Sequence, residues 1–230
     1  MKLAAYLSLL FCFCSSALIQ SRVTQLREHH EIFDSLRSSA TTAKEQLEAV
    51  ELSKAQRSKV QELSESIVAN IEQLDAIAHS RKTARISPEY LESLKLDSEL
   101  LNYTSSNLSQ GKDGADKAVT ALNEVAEDLK TKVIFSQNQM GTGLRLVEFI
   151  VHTKKDETEL GGYEVWYVPR GWSDTPDKFR RSDRTSSPAI MKLAPGNYLV
   201  WLKKGQLVTE KTGYTLGLEG SRKEIDFPIP

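Results

Sequence analysis

Aromatic and basic side chains crowd the last third of this 230-residue chain. Trp166, Tyr167, Trp172, Tyr198, Trp201 and Tyr214 fall within fifty positions. An exposed ring offers flat apolar area on which a sugar or a peptide stacks. Trp172 lies in Gly171-Trp172-Ser173-Asp174, a loop composition, and is the ring expected to face solvent. With Tyr167 or Trp201 beside it, Trp172 forms a candidate glycan-binding set. Arg180, Arg181 and Arg184 follow closely and supply guanidinium donors for an anionic partner, with Asp177 and Asp183 as local counter-charges. The alternation Val165/Tyr167 against Trp166/Val168 puts rings on both faces of one extended segment, so at least one set belongs to a core.

Residues that would carry catalysis are missing in pattern. There is no Gly-x-Ser-x-Gly, no His-Glu-x-x-His, no glycine-rich phosphate loop and no Cys/His nucleophile constellation. Met140-Gly141-Thr142-Gly143-Leu144 lacks the preceding strand and following helix of a nucleotide loop and reads as a linker. Carboxylates are numerous but spread along amphipathic stretches, where solvation accounts for them. His29-His30 is the one adjacent histidine pair; neighbouring helical residues point about 100° apart, which does not suit a shared metal ion. The chain therefore reads as a non-enzyme with no cofactor and no metal.

The first seventeen residues have the layout of a secretory signal: Met1-Lys2, an apolar run over residues 3–13, and Ser15-Ser16-Ala17 at the cleavage positions. The run is shorter than the ~20 residues of a membrane span. Both cysteines, Cys12 and Cys14, lie before the expected cut, so the mature chain would hold no disulfide. Lipidation at Cys14 would want a small residue upstream, and Phe13 stands there. The expected location is exported, the bacterial periplasm or the cell surface. Formal charge is −1, with 19 acidic against 15 basic residues over 18–140 and 12 against 14 over 141–230. No dense basic block occurs, which gives nucleic-acid binding no support.

From about residue 20 to 138 glycine and proline are almost absent and apolar residues recur at helical spacing. Leu26, His29, Phe33, Leu36, Ala40, Ala43, Leu47 and Val50 alternate three and four apart, a heptad seam, and Val60, Leu63, Ile67, Asn70, Leu74 and Ile77 repeat the rhythm. Ser53 with Gln56 has the spacing of a capping box between them; with no Gly or Pro near residues 50–55, one long helix through both segments is the alternative, for three or four helices in all. Ser87-Pro88-Glu89 starts a third helix, with Tyr90, Leu91, Leu94, Leu101 and Leu108 following. After Gly111-Lys112-Asp113-Gly114 a fourth buries Ala118, Leu122, Val125, Leu129 and Val133. The polar seam residues His29 and Asn70 are expected at frayed ends or turned outward. The sequons at Asn102 and Asn107 fall inside a predicted helix, where glycosylation is not expected.

After Gly143 the period changes. Strands are predicted over 145–152, 163–168, 189–193 and 197–203, with weaker ones near 212–218 and 224–229, and a long exposed polar loop over 173–188 anchored by Phe179. Short strands and turns over about 90 positions point to a small β-sandwich. The stretch Leu193-Ala194-Pro195-Gly196-Asn197-Tyr198-Leu199-Val200-Trp201 resembles the Leu-x-Pro-Gly-x-Tyr-x-Val turn and strand of prealbumin-like modules, among them carboxypeptidase regulatory-like domains. The resemblance covers about residues 144–230 and implies a scaffold, spacer or binding domain. Some adhesin relatives carry a Lys–Asn isopeptide bond; Arg145 and Asp226 stand at the matching strands here, so that bond is not implied. The helical half resembles no family.

The fold expected is thus α+β with two domains: a signal at 1–17, an antiparallel helical bundle or coiled-coil hairpin over 18–138, a linker over 139–143, and a prealbumin-like β-sandwich over 144–230. The expected role is an exported scaffold or protein-interaction protein, its helical arm serving self-association or partner binding and its sandwich recognition or spacing. Glycan binding at Trp172, Tyr167 and Trp201, with Arg180 and Arg181 on hand for anions, is the first alternative; an accessory subunit of an enzyme is the second.

Overall fold

The computed structural model describes residues 27–80, 86–107, 112–139, 143–155 and 158–229. Residues 1–17, read as a signal, with both cysteines, the seam residues Leu26 and Leu108, and positions 140–142 of the expected linker lie outside the described residues.

Four helices make the N-terminal half: α1 over residues 27–49, α2 (Lys54–Ser80), α3 (Pro88–Asn107) and α4 (Lys112–Asn138). Their boundaries follow local chemistry. The Ser53 backbone N–H donates to Gln56 Oε1 at 3.0 Å and the Gln56 N–H donates to Ser53 Oγ at 3.3 Å, the reciprocal pair that starts α2. At α3 the Tyr90 N–H donates to Ser87 Oγ at 3.2 Å, while Pro88 occupies the first turn, where no N–H is needed. Replacing Ser87 by Ala removes the side-chain cap and leaves only the bond from the Tyr90 N–H to the Ser87 carbonyl, at 3.1 Å; the expected loss of about 1 kcal/mol or less should appear as a lower urea midpoint at unchanged slope.

The heptad seams close on one another as a bundle. Phe33, Leu36, Ala43 and Leu47 of α1, Ile67 and Leu74 of α2, and Ala118, Val125 and Leu129 of α4 are all fully buried. Serine hydroxyls of α1 (Ser35, Ser39) meet Ser98 of α3, and Arg37 of α1 pairs with Asp75 of α2. Contrary to expectation, His29 and Asn70 point inward: both are buried, and desolvation holds the His29 imidazole below its ordinary value. The seam positions, rather than the polarity of the residues, decide their placement.

The C-terminal half is two sheets packed face to face. In the first, β1 (Val147–Lys155) lies between β5 (Ala189–Leu193), antiparallel, and β9 (Arg222–Pro228), parallel, with the two-residue β2 (Thr158–Glu159) on the far end of β1. In the second, β3 (Glu164–Pro169) joins β4 (Arg180–Arg181) to β6 (Gly196–Lys204), whose other edge carries β7 (Leu207–Val208) and β8 (Thr212–Leu216). Val147, Phe149 and Val151 meet Val165, Val200 and Leu202 between the sheets, the period-2 alternation read from the sequence.

The two halves interlock. Phe135 of α4 belongs to the sandwich core. In return Leu144, Val168, Trp172, Ala194 and Trp201 extend the helical core into the β half. α3 is buried on both flanks, because it lies between the bundle and the sheets.

The segment over 173–188, expected as an open loop, folds back instead. Two short 3-10 turns (Arg170–Trp172 and Pro176–Lys178) and β4 lead it along the outer face of the second sheet. That face carries Trp166 and Trp201, cross-strand partners stacked at 6.3 Å, and Phe179 meets the Trp201 ring edge-on at 4.9 Å. The helical core covers Val168 and part of Trp201 on this face, and this segment covers the rest.

Candidate functional site

The residues singled out for stacking and anion binding separate into three places. Trp172 is 6% exposed, a correction to its expected exposure. Its indole Nε1–H donates to the Leu96 carbonyl of α3 at 3.3 Å and its ring lies 5.8 Å from Tyr103. Gly171 makes this possible, since a Cβ there would collide with Leu100 of α3. Trp201 is also buried, under Phe179, with the Lys211 ammonium 5.3 Å above it. Arg181 is taken by Glu164 in an ion pair and lies 5.9 Å over Trp166. Tyr167 and Arg180 remain, and these two do come together.

They share a cleft of about 390 Å³ between α3 and the open side of the sandwich. Glu89, Glu92 and Leu96 form its helical wall. Tyr167, Arg180 and Lys192 form the wall on the sheets, above a floor of Leu193, Ala194 and Tyr198. The Arg180 guanidinium is steadied by the carbonyls of Asp177 and Phe179, at 3.1 and 3.4 Å. Glu89, Glu92, Arg180 and Lys192 have no ion-pair partner among the described residues. Burial raises the Tyr167 hydroxyl above its ordinary value, with the Arg180 charge acting the other way. An apolar floor edged by unpaired charges of both signs is the composition of a recognition site. A larger cavity of about 840 Å³ opens between the first turns of α1 and α3, but it involves the helical half alone and adjoins chain outside the described residues.

Beneath the cleft floor lies a group of charges that the sequence reading assigned to solvent. The Lys132 side chain of α4 has zero exposure. Its ammonium contacts Asp128 one turn earlier and Asp97 of α3 at 3.0 Å. Asp128 also accepts the Asn197 backbone N–H of β6 at 2.7 Å, so one carboxylate ties α4 to the sheet. Gly196 permits that approach, because a Cβ there would run into the Asp128 carboxylate. Tyr198 seals the group from the cleft, its hydroxyl donating to the Ala194 carbonyl at 2.9 Å. Burial pushes the Asp97 carboxyl up to about 8 against the opposing pull of Lys132, and the Asp128 charge adds to the rise. Burial works against the Lys132 charge as well, yet Asp128 and then Asp97 outweigh it and hold the ammonium above its ordinary range. One buried cation thus serves two carboxyls, and burial favours the neutral form of Asp97. Sealed in this way, the group orients the two halves.

A signal for it was present. Asp97 falls between Leu94 and Leu101 in the rhythm Tyr90, Leu94, Asp97, Leu101, Thr104, and Lys132 falls seven residues after Val125. Both occupy seam positions where a heptad calls for apolar side chains.

Among the described residues no group of three His, Cys, Asp or Glu is placed to hold a metal ion, and no helix is long and apolar enough to cross a membrane. Comparison of the chain with family models, curated proteins and solved structures finds no match.

Proposed function

We propose that this chain is an exported, non-catalytic scaffold or protein-interaction protein of the bacterial cell envelope, in which the helical bundle and a prealbumin-like β-sandwich together present one cleft to a partner protein. The observation that carries this reading is the cleft itself. It draws its acidic wall from α3 and its basic wall from β4 and β5, and its charges are unpaired among the described residues. The Asp97–Lys132–Asp128 group and Trp172 fix those walls relative to each other, and a preorganised site loses less entropy on binding. The leader-like residues 1–17 support export. The helical seams are used up inside the bundle. Partner binding is therefore assigned to the cleft rather than to a coiled-coil seam. Trp172 and Trp201 are buried, which leaves the carbohydrate alternative with Tyr167 alone of its three rings at the cleft.

Two measurements test the reading. Intact mass of the chain recovered from the producing cell should show loss of the first seventeen residues; an unprocessed cytosolic chain overturns export. A photoactivatable residue at position 192 should cross-link one partner protein in cells, with the adduct lost on Arg180→Glu and absent when the probe sits at Thr120, an exposed position on α4. Equal cross-linking from both positions, or none from 192, overturns the cleft as the partner site.

A further inference from the structure

Strand β5 is joined to its sheet on one side only. Residues 189–193 pair with β1, and the other edge has no strand partner among the described residues. β4 likewise pairs with β3 alone. Both open edges border the cleft, since Lys192 and Leu193 of β5 and Arg180 of β4 line it. An open edge presents unpaired backbone N–H and C=O groups, a template for one more strand unless it is blocked or covered. α3 stands beside β5, yet a space of about 390 Å³ remains between them.

The side chains of that edge select a type of occupant. Ala189, Met191 and Leu193 turn inward while Ile190 and Lys192 are exposed. A strand laid along β5 would alternate in the same way. Every second side chain would enter the apolar floor beside Tyr167, Leu193 and Tyr198, and the others would follow the Ile190–Lys192 face. Cross-strand neighbours of opposite charge are favoured, so an acidic side chain suits the position beside Lys192, within reach of the Arg180 side of the cleft. A basic one suits the Glu89–Glu92 wall.

We propose that the cleft receives an extended segment of a partner protein as an added strand on the free edge of β5, its alternate apolar side chains seated on the cleft floor and an acidic side chain set against Lys192. This deepens the partner-binding reading of the cleft and rests on it. Main-chain hydrogen bonds would supply affinity and the floor and rim specificity, the division of labour of strand-addition complexes.

The test uses the full chain and a displayed library of linear peptides with alternating apolar and random positions. Selected peptides should carry an acidic residue at one fixed polar position, slow hydrogen exchange in residues 189–193, and shift toward a basic residue there when selected on Lys192→Glu. A selected peptide remade with alternate backbone amides N-methylated should lose affinity by an order of magnitude or more in one register and little in the other, because only one set of its N–H groups faces β5. If selected peptides protect the cleft but tolerate N-methylation in both registers, strand addition is overturned while the cleft stands as a binding site. If no peptide is selected, or those selected protect no cleft residue and ignore Arg180→Glu, the cleft reading fails and strand addition with it.

Discussion

Replacing Lys132 by Met should destabilise the fold by about 3–5 kcal/mol, the usual range when one partner of a buried ion pair is removed. The methylene chain is retained, so little packing is lost. What changes is that the Asp97–Asp128 carboxyl pair is left buried without the ammonium it shares, whose side chain has zero exposure. Denaturant titration would give the difference directly, and a loss under 1 kcal/mol would mean the group is hydrated in solution. Asp97→Asn should cost much less, because the amide is a neutral isostere of a carboxyl that burial holds toward its neutral form. That substitution also isolates a pH dependence. The Asp97 carboxyl releases its proton near 3.8 when unfolded and near 8 when folded. Between those values the folded state binds the extra proton, so stability falls as pH rises through the window. The contribution is fully present below about pH 4 and gone above about pH 8. In Asp97→Asn this slope should vanish, and an unchanged slope would place the titration elsewhere.

The second large effect is at Trp172, where Ala should cost about 3–5 kcal/mol, as for other buried aromatics cut to Ala. The ring fills the space between α3 and the β half, 5.8 Å from Tyr103, and its N–H satisfies the Leu96 carbonyl. Loss of such a residue weakens the contact between the halves more than either half's own core. Unfolding followed by far-ultraviolet circular dichroism and by fluorescence of the remaining tryptophans should therefore separate into two transitions, where the parent protein shows one. Full stability with a single transition in Trp172→Ala would show that the halves are held together without it.

Much of the architecture was legible because period and caps are local. The three-four rhythm from His29 to Leu47 and from Val60 to Leu74 survives as buried seams. The Ser53–Gln56 box and the Ser87 cap stand where their spacing put them. The strand read over 189–193 keeps its bounds in β5. The candidate site was half legible. Tyr167 and Arg180 line the cleft, whereas Trp172 and Trp201 turned out to be interior. A loop-like composition around Trp172 says that the backbone turns there. It does not say whether the turn faces water or another helix.

Spacing and caps within a few residues were enough to read three or four helices followed by strands, where most of them begin, and which face of each is apolar. Tertiary packing was needed to bring Asp97 and Lys132 together in a buried interior, to lay residues 173–188 against Trp166 and Trp201, and to set Glu89 and Lys192, 103 positions apart in sequence, across one cleft. The physical reason is that the partner of a side chain across an interface leaves no periodic mark on its own segment. A charged residue in a seam reads as an exposed one until the element that neutralises it is in place.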